Sequence, residues 1–232
     1  MKYTEFESII SPERMRKYNI ACGGNTAKAM TLYRYNLRLS QEMFVVVSCF
    51  EVALRNRIDA VMKARWGDDW LRDFILPGGA LYCDKRAENT KKKIIEKEYY
   101  DLIKHKSYSH SKLLSEVGFG VWKYMFSNIQ YLLTGQVLLK VFPNKPKSTK
   151  QLRYNNTYIF GELDYINNLR NRIAHHEPIC FGDLVSINTS YAKNRYKRIM
   201  TLFEWMDIDG VSLLYGLGHV NNACYQIDKL LR

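Results

Sequence analysis

The sequence predicts an all-α protein, a helical bundle with additional peripheral helices, forming one domain over residues 1–232. Three observations carry this. Every regular apolar period in the chain lies close to 3.6 residues. Helix caps and stops punctuate the periodic stretches, as at Ser11-Pro12, Gly67 and Pro178. The chain is 232 residues long, 47% hydrophobic and 25% charged, the composition of a soluble globular protein able to bury a substantial core.

In order, Tyr3–Ile20 reads as a short amphipathic entry in which Ser11 caps, Pro12 takes the first turn and Glu13 follows. Gly23-Gly24 interrupts it, and Asn25 or Thr26 can cap the next helix, in which Met30, Tyr33 and Leu37 recur at helical spacing. Ser40 is read as opening a further helix with Glu42 in its first turn. That segment is apolar on nearly all faces up to Glu51, which predicts a central buried helix ending in a left-handed stop at Gly67. Leu76-Pro77-Gly78-Gly79 is a turn. Asp84–Lys106 carries eight Lys/Arg and five Asp/Glu around a thin stripe of Ile94, Ile95, Tyr99, Leu102 and Ile103, the pattern of an exposed helix docked by one face.

Ser107–Ser111 is read as a loop, and Lys112–Leu139 as two short helices hinged at glycines. Pro143 and Pro146 make the first half of Lys140–Asn156 a loop. A helix is predicted from about Thr157 to His176, beyond which Pro178 forbids continuation. Gly182-Asp183 begins a connection to a basic helix, Tyr191–Trp205. After a turn at Asp209-Gly210, a last helix or pair of helices packs through Leu213, Leu214, Leu217, Cys224, Ile227, Leu230 and Leu231.

The net charge of +12 and a pI near 9.4 point to a polyanionic partner. Two tracts concentrate the charge: Lys140, Lys145, Lys147, Lys150 and Arg153, with no acid between them, and Lys193, Arg195, Lys197 and Arg198. Both are candidate RNA contacts, and a merely solvated basic loop is the alternative for the first. The 17 tyrosines offer amphipathic surface for interfaces or base stacking. Cys22, Cys49, Cys83, Cys180 and Cys224 are odd in number and scattered without a C-x-x-C pair. Neither a zinc site nor a disulfide framework is implied, and free, mostly buried thiols in a reducing cytoplasm are expected. No signal-peptide core is present at the start, and the apolar run Met43–Phe50, broken by Ser48, is far short of the ~20 residues of a membrane span.

The chemistry concentrates in Leu169–Pro178, LRNRIAHHEP. On a helix Asn171 and His175 share a face, and Arg170 lies one step round and one turn back. A histidine facing the negative end of a helix dipole suits a general acid, and its neutral form at neutral pH can act as base. An adjacent arginine can clamp a phosphate and stabilise its growing charge. Asn171 can orient the ring or contact the phosphate. Together these are the parts for metal-free RNA cleavage by the ribose 2′-hydroxyl. The plain alternative is a helix terminator, with Arg170 paired to Glu177 or Glu162. Metal binding is disfavoured, because the consecutive His175 and His176 diverge by about 100° on a helix. The pentapeptide LRNRI also occurs at Leu54–Ile58, where Asp59 and Ala60 stand in place of Ala174 and His175.

Arg170-Asn171-x-x-x-His175 resembles the R-(N/H/D)-x-x-x-H signature of HEPN domains, many of which are metal-independent ribonucleases. LRNRIAHHEPI, with FEVALRNRID at Phe50–Asp59, LYRYNLRLS at Leu32–Ser40 and VGFGVWKYMFSN at Val117–Asn128, is similar to the Abi-like abortive-infection family of the AbiD/AbiF type. The resemblance implies a HEPN-type bundle and an endoribonuclease used as a toxin or in anti-phage defence. It implies no cofactor, catalytic roles for Arg170, Asn171 and His175, and a homodimer that sets two motifs face to face. A restraining noncoding RNA partner is implied by some members, and an RNA-binding protein without cleavage is the competing expectation. Glu51, Arg55 and Asn56 fall in a family motif to which no role is attached.

Overall fold

The computed structural model describes residues 1–83, 90–182 and 185–230, with Cys83, Thr90 and Lys91 described by backbone alone. The all-α expectation holds. In chain order the helices are α1 (Tyr3–Ile10), α2 (Pro12–Ala21), α3 (Thr26–Trp66), α4 (Trp70–Ile75) and α5 (Ala80–Cys83). They continue with α6 (Thr90–Lys104), α7 (His110–Glu116), α8 (Phe119–Tyr124) and α9 (Asn128–Leu133), then a 3-10 turn, Leu138–Val141. The last four are α10 (Asn156–Ala174), α11 (Ser190–Trp205), α12 (Gly210–Leu213) and α13 (Val220–Lys229). Among the described residues the one β interaction is an isolated antiparallel bridge, Phe181 to Ile187. No helix among them is long and apolar enough to cross a membrane.

The chain forms two compact units that interleave in sequence. The first comprises Met1–Cys49, Asn168–Thr201 and Asp209–Arg232, and the second Phe50–Asn167 and Leu202–Ile208. Both α3 and α10 therefore contribute to each unit.

Helix α3 is one continuous element of 41 residues, about 60 Å long at 1.5 Å per residue. Ser40 does not open a new helix, because neither Gly nor Pro occurs between Thr26 and Trp66 to interrupt the ladder. The segment read as apolar on nearly all faces up to Glu51 is a buried helix as predicted, but its burial follows one seam. The buried positions Ala29, Leu32, Asn36, Leu39, Met43, Val46, Phe50, Leu54, Ile58 and Met62 step by three and four along one seam. Phe44 and Val52 lie outside that seam and are exposed. The left-handed stop at Gly67 is found, at φ 89°.

In the first unit, Ser11 accepts the Arg14 N–H (3.3 Å) and starts α2, with Pro12 at its first position. Tyr18 packs edge-on against Tyr33 and Phe181, with ring centroids 5.2 and 5.1 Å apart. Glu42 sits in the middle of α3, almost fully buried, and accepts both the Arg38 guanidinium (2.7 Å) and the His219 N–H (2.8 Å). Gly218 comes so close that a Cβ would stand 2.8 Å from Val46 Cγ2, and its φ is +69°. Only glycine fits there. The C-terminal pair exists as expected, but its packing face is Leu214, Val220, Ala223, Cys224 and Ile227. Leu213 and Leu217 are about half exposed, because the short α12 and the turn after it carry them away from that face.

In the second unit, the stretch read as two short helices is α7, α8, α9 and the 3-10 turn, divided at Gly118, Ser127 and Gly135. The loop predicted over Ser107–Ser111 is shorter, since Ser109 accepts the Lys112 N–H (3.2 Å) and caps α7 at His110. Phe119 and Trp122 are buried, and the Trp122 indole N–H donates to the Val117 carbonyl (2.9 Å). The α6 stripe is narrower than predicted: Ile95 is buried and Ile103 is exposed. Asp59 accepts from Lys63 (2.8 Å) and the Trp70 indole (2.9 Å), and the His110 Nε2 lies 2.7 Å away. Lys123, nearly fully buried, pairs with Asp164 (2.7 Å) and lies over the Tyr124 and Phe160 rings. Of the cysteines, Cys180 and Cys224 are buried and Cys22 and Cys49 half-buried, all four as free thiols. The Cys83 side chain, Asp84–Asn89 at the start of the charged stretch, Asp183 and Leu231 lie outside the described residues.

Candidate active site

Helix α10 ends earlier than predicted, at Ala174, and its end is closely determined. The Glu177 N–H reaches back to the Arg172 carbonyl (2.8 Å) and the His176 N–H to the Ile173 carbonyl (3.0 Å). This is the Schellman arrangement, with His176 in the left-handed position at φ 56°. His175 is therefore the C-cap. Its N–H still bonds the Asn171 carbonyl (2.9 Å), so the one-turn spacing of Asn171 and His175 is kept.

Three side chains then hold three backbone groups between His176 and Ile179. Arg14 Nη1 on α2 donates to the His176 carbonyl (2.8 Å). Arg172 Nη2 donates to the Pro178 carbonyl, its Nε lies 3.4 Å from a Glu177 carboxylate oxygen, and its guanidinium lies over the Tyr191 ring. The buried Asn36 accepts the Ile179 N–H (2.9 Å), a bond across 143 positions of sequence. The exit of the motif helix is thereby fixed from α2, α3 and α11. Arg172, not Arg170, pairs with Glu177, and that role was missed because spacing alone does not distinguish the two arginines. The lock became visible only once the turn at His176 folded Pro178 back towards Arg172.

His175 and His176 are exposed and Arg170 and Asn171 half-buried. Among the described residues the side chains of Arg170, Asn171 and His175 have no hydrogen-bond or ion-pair partner, and the link between Asn171 and His175 is the backbone one. A cleft of about 340 Å³ is lined by Ser11, Glu13, Arg14, Lys17, Tyr18, His175, His176, Glu177 and Pro178. It brings His175 together with Arg14 and Lys17, which sequence spacing did not associate with the motif. Arg170 and Asn171 do not line it. A second cleft, about 510 Å³, adjoins it at Lys17 and Pro178 and includes Arg172, Asn188 and Tyr191. No cluster of three or more potential metal ligands occurs among the described residues.

The basic tracts divide between the units. Lys193, Arg195, Lys197 and Arg198 lie on α11 in the first, with Lys193 paired to Asp228 (2.6 Å) and Arg195 over the Tyr191 ring. Lys140, Lys145, Lys147, Lys150 and Arg153 lie in the second, and all but Lys145 are exposed. There Lys140 joins Arg57 and Arg65 around a cleft of about 360 Å³, a grouping of cations not apparent from the sequence.

An all-α protein with a basic, imidazole-bearing motif at a locked helix end is thus defined. The chain belongs to the Abi-like protein family, whose model matches residues 3–180 and so includes the motif and part of each unit. That membership connects the chain with abortive infection. No curated protein and no solved structure matches it.

Proposed function

We propose that this protein is a metal-independent endoribonuclease of the HEPN type, acting in the cytoplasm as a toxin or abortive-infection component. His175 is the general acid and base, Arg170 binds the scissile phosphate, and Asn171 orients them. The observation that carries this reading is the state of the motif. The exit of α10 is held by Arg14, Arg172 and Asn36, while Arg170, Asn171 and His175 have no hydrogen-bond or ion-pair partner among the described residues. A helix terminator alone needs the first set and gives no reason for the second. In the reaction, His175 takes the 2′-hydroxyl proton, the 2′-oxygen attacks phosphorus, the bond from phosphorus to the 5′-oxygen breaks, and the 5′-oxygen takes a proton from the His175 imidazolium. The products carry a 2′,3′-cyclic phosphate and a 5′-hydroxyl.

Three side chains at one helix end need a facing surface, and the same motif from a second copy of the chain supplies it. The working form is therefore a homodimer, held in check by a noncoding RNA partner until released. Purified protein incubated with RNA in EDTA tests the reaction. Cyclic-phosphate ends and their loss in His175→Ala are expected. RNA that shifts in a gel but stays intact would instead establish a protein that only holds RNA.

A further inference from the structure

The two clefts that meet at Pro178 share one cation. Among the described residues lining them, the fixed positive charges are Arg14, Lys17 and Arg172. Arg14 is committed to the His176 carbonyl, and Arg172 to the Pro178 carbonyl and Glu177. Lys17 is exposed, has no hydrogen-bond or ion-pair partner among the described residues, and lines both clefts. It lies one turn after Arg14 on α2, so the bond that ties Arg14 to the motif exit also sets the distance of Lys17 from it. The second cleft has no acid among its described lining residues, whereas the first balances its cations with Glu13 and Glu177.

We propose that Lys17 is a strand-positioning residue: it binds a phosphate of single-stranded RNA next to the bond that faces His175. The strand then runs from the His175 cleft past Lys17 into the Arg172 cleft. A flexible ammonium with no internal partner suits a passing phosphate, which needs charge more than fixed geometry. Small concavities on either side of one proline admit a splayed single strand and not a paired helix. This rests on the ribonuclease reading for the position of the scissile bond, but the binding it predicts is measurable without cleavage.

The test measures affinity of a fluorescent single-stranded RNA oligomer for His175→Ala protein, with and without Lys17→Ala, across a salt series. Lys17→Ala is expected to weaken binding several-fold. It should also reduce the slope of log affinity against log salt by about 0.7, the value for one lost contact to a single strand. Lys17→Arg should restore both, which controls for damage to the fold. Equal affinity and slope in Lys17→Ala would overturn the proposal, as would equally tight, equally Lys17-dependent binding of a duplex of the same sequence. If wild-type protein leaves RNA intact while Lys17→Ala still loses binding, the cleavage reading fails and the Lys17 contact stands.

Discussion

His176 and His175 are neighbours with different employment. His176 holds a left-handed backbone conformation at φ 56°, which costs a residue with a Cβ about 1 kcal/mol and costs glycine almost nothing. His176→Gly should therefore raise stability by up to about 1 kcal/mol, read as a higher urea midpoint. His175, exposed at the cap, should behave in the opposite way. His175→Ala is expected to leave the unfolding midpoint nearly unchanged while lowering RNA cleavage by about 10²–10⁴-fold, the usual span for a lost general acid or base. Arg172→Ala removes a bond to a backbone carbonyl and the contact over Tyr191. It should cost about 1–3 kcal/mol in denaturant unfolding.

At the scale of elements, α3 and α4 are joined to α7 through one carboxylate, Asp59. Burial acts to raise its pKa, but the bonds from Lys63, Trp70 and His110 lower it by more, so it titrates below an ordinary aspartate. A depressed folded-state pKa stabilises the fold above the unfolded value of about 3.9 and loses that contribution as pH falls through the folded value. Asp59→Asn should thus destabilise the protein by about 1–3 kcal/mol at pH 7. Thermal unfolding should show the gap to wild type closing below about pH 4. The same elements show what was legible in the sequence. Helix stops such as Gly67 and caps such as Ser11 were, because they act through local backbone geometry. The continuity of α3 through Ser40 was misread, because a serine that can cap need not do so where nothing breaks the ladder. The motif residues were legible as a spacing. Arg14 and Lys17 were not, because Arg14 lies 162 positions from the His176 carbonyl it holds and nothing local ties α2 to α10.

For the whole molecule, the +12 charge predicts affinity for RNA that falls steeply with salt, whatever the fate of the bound strand. The tracts contribute unequally. Lys193 is paired with Asp228, so its removal should change the salt slope less than removal of the exposed Lys197 or Lys150, a difference that filter binding with single variants would resolve.

The interleaving of the two units has a consequence in time. Met1–Cys49 leaves the ribosome before Asp209–Arg232, yet both belong to the same unit. Loop closure between such distant segments must wait for the later one, whatever the strength of the contacts. When synthesis has just passed Pro178 the motif exists as a sequence, but Glu42 still lacks the His219 N–H that it accepts in the folded unit. Stalled nascent chains ending at Gly182 should leave residues 1–49 open to protease, and released chains should protect them. The unit that carries His175 is thereby completed only when Asp209–Arg232 has joined it.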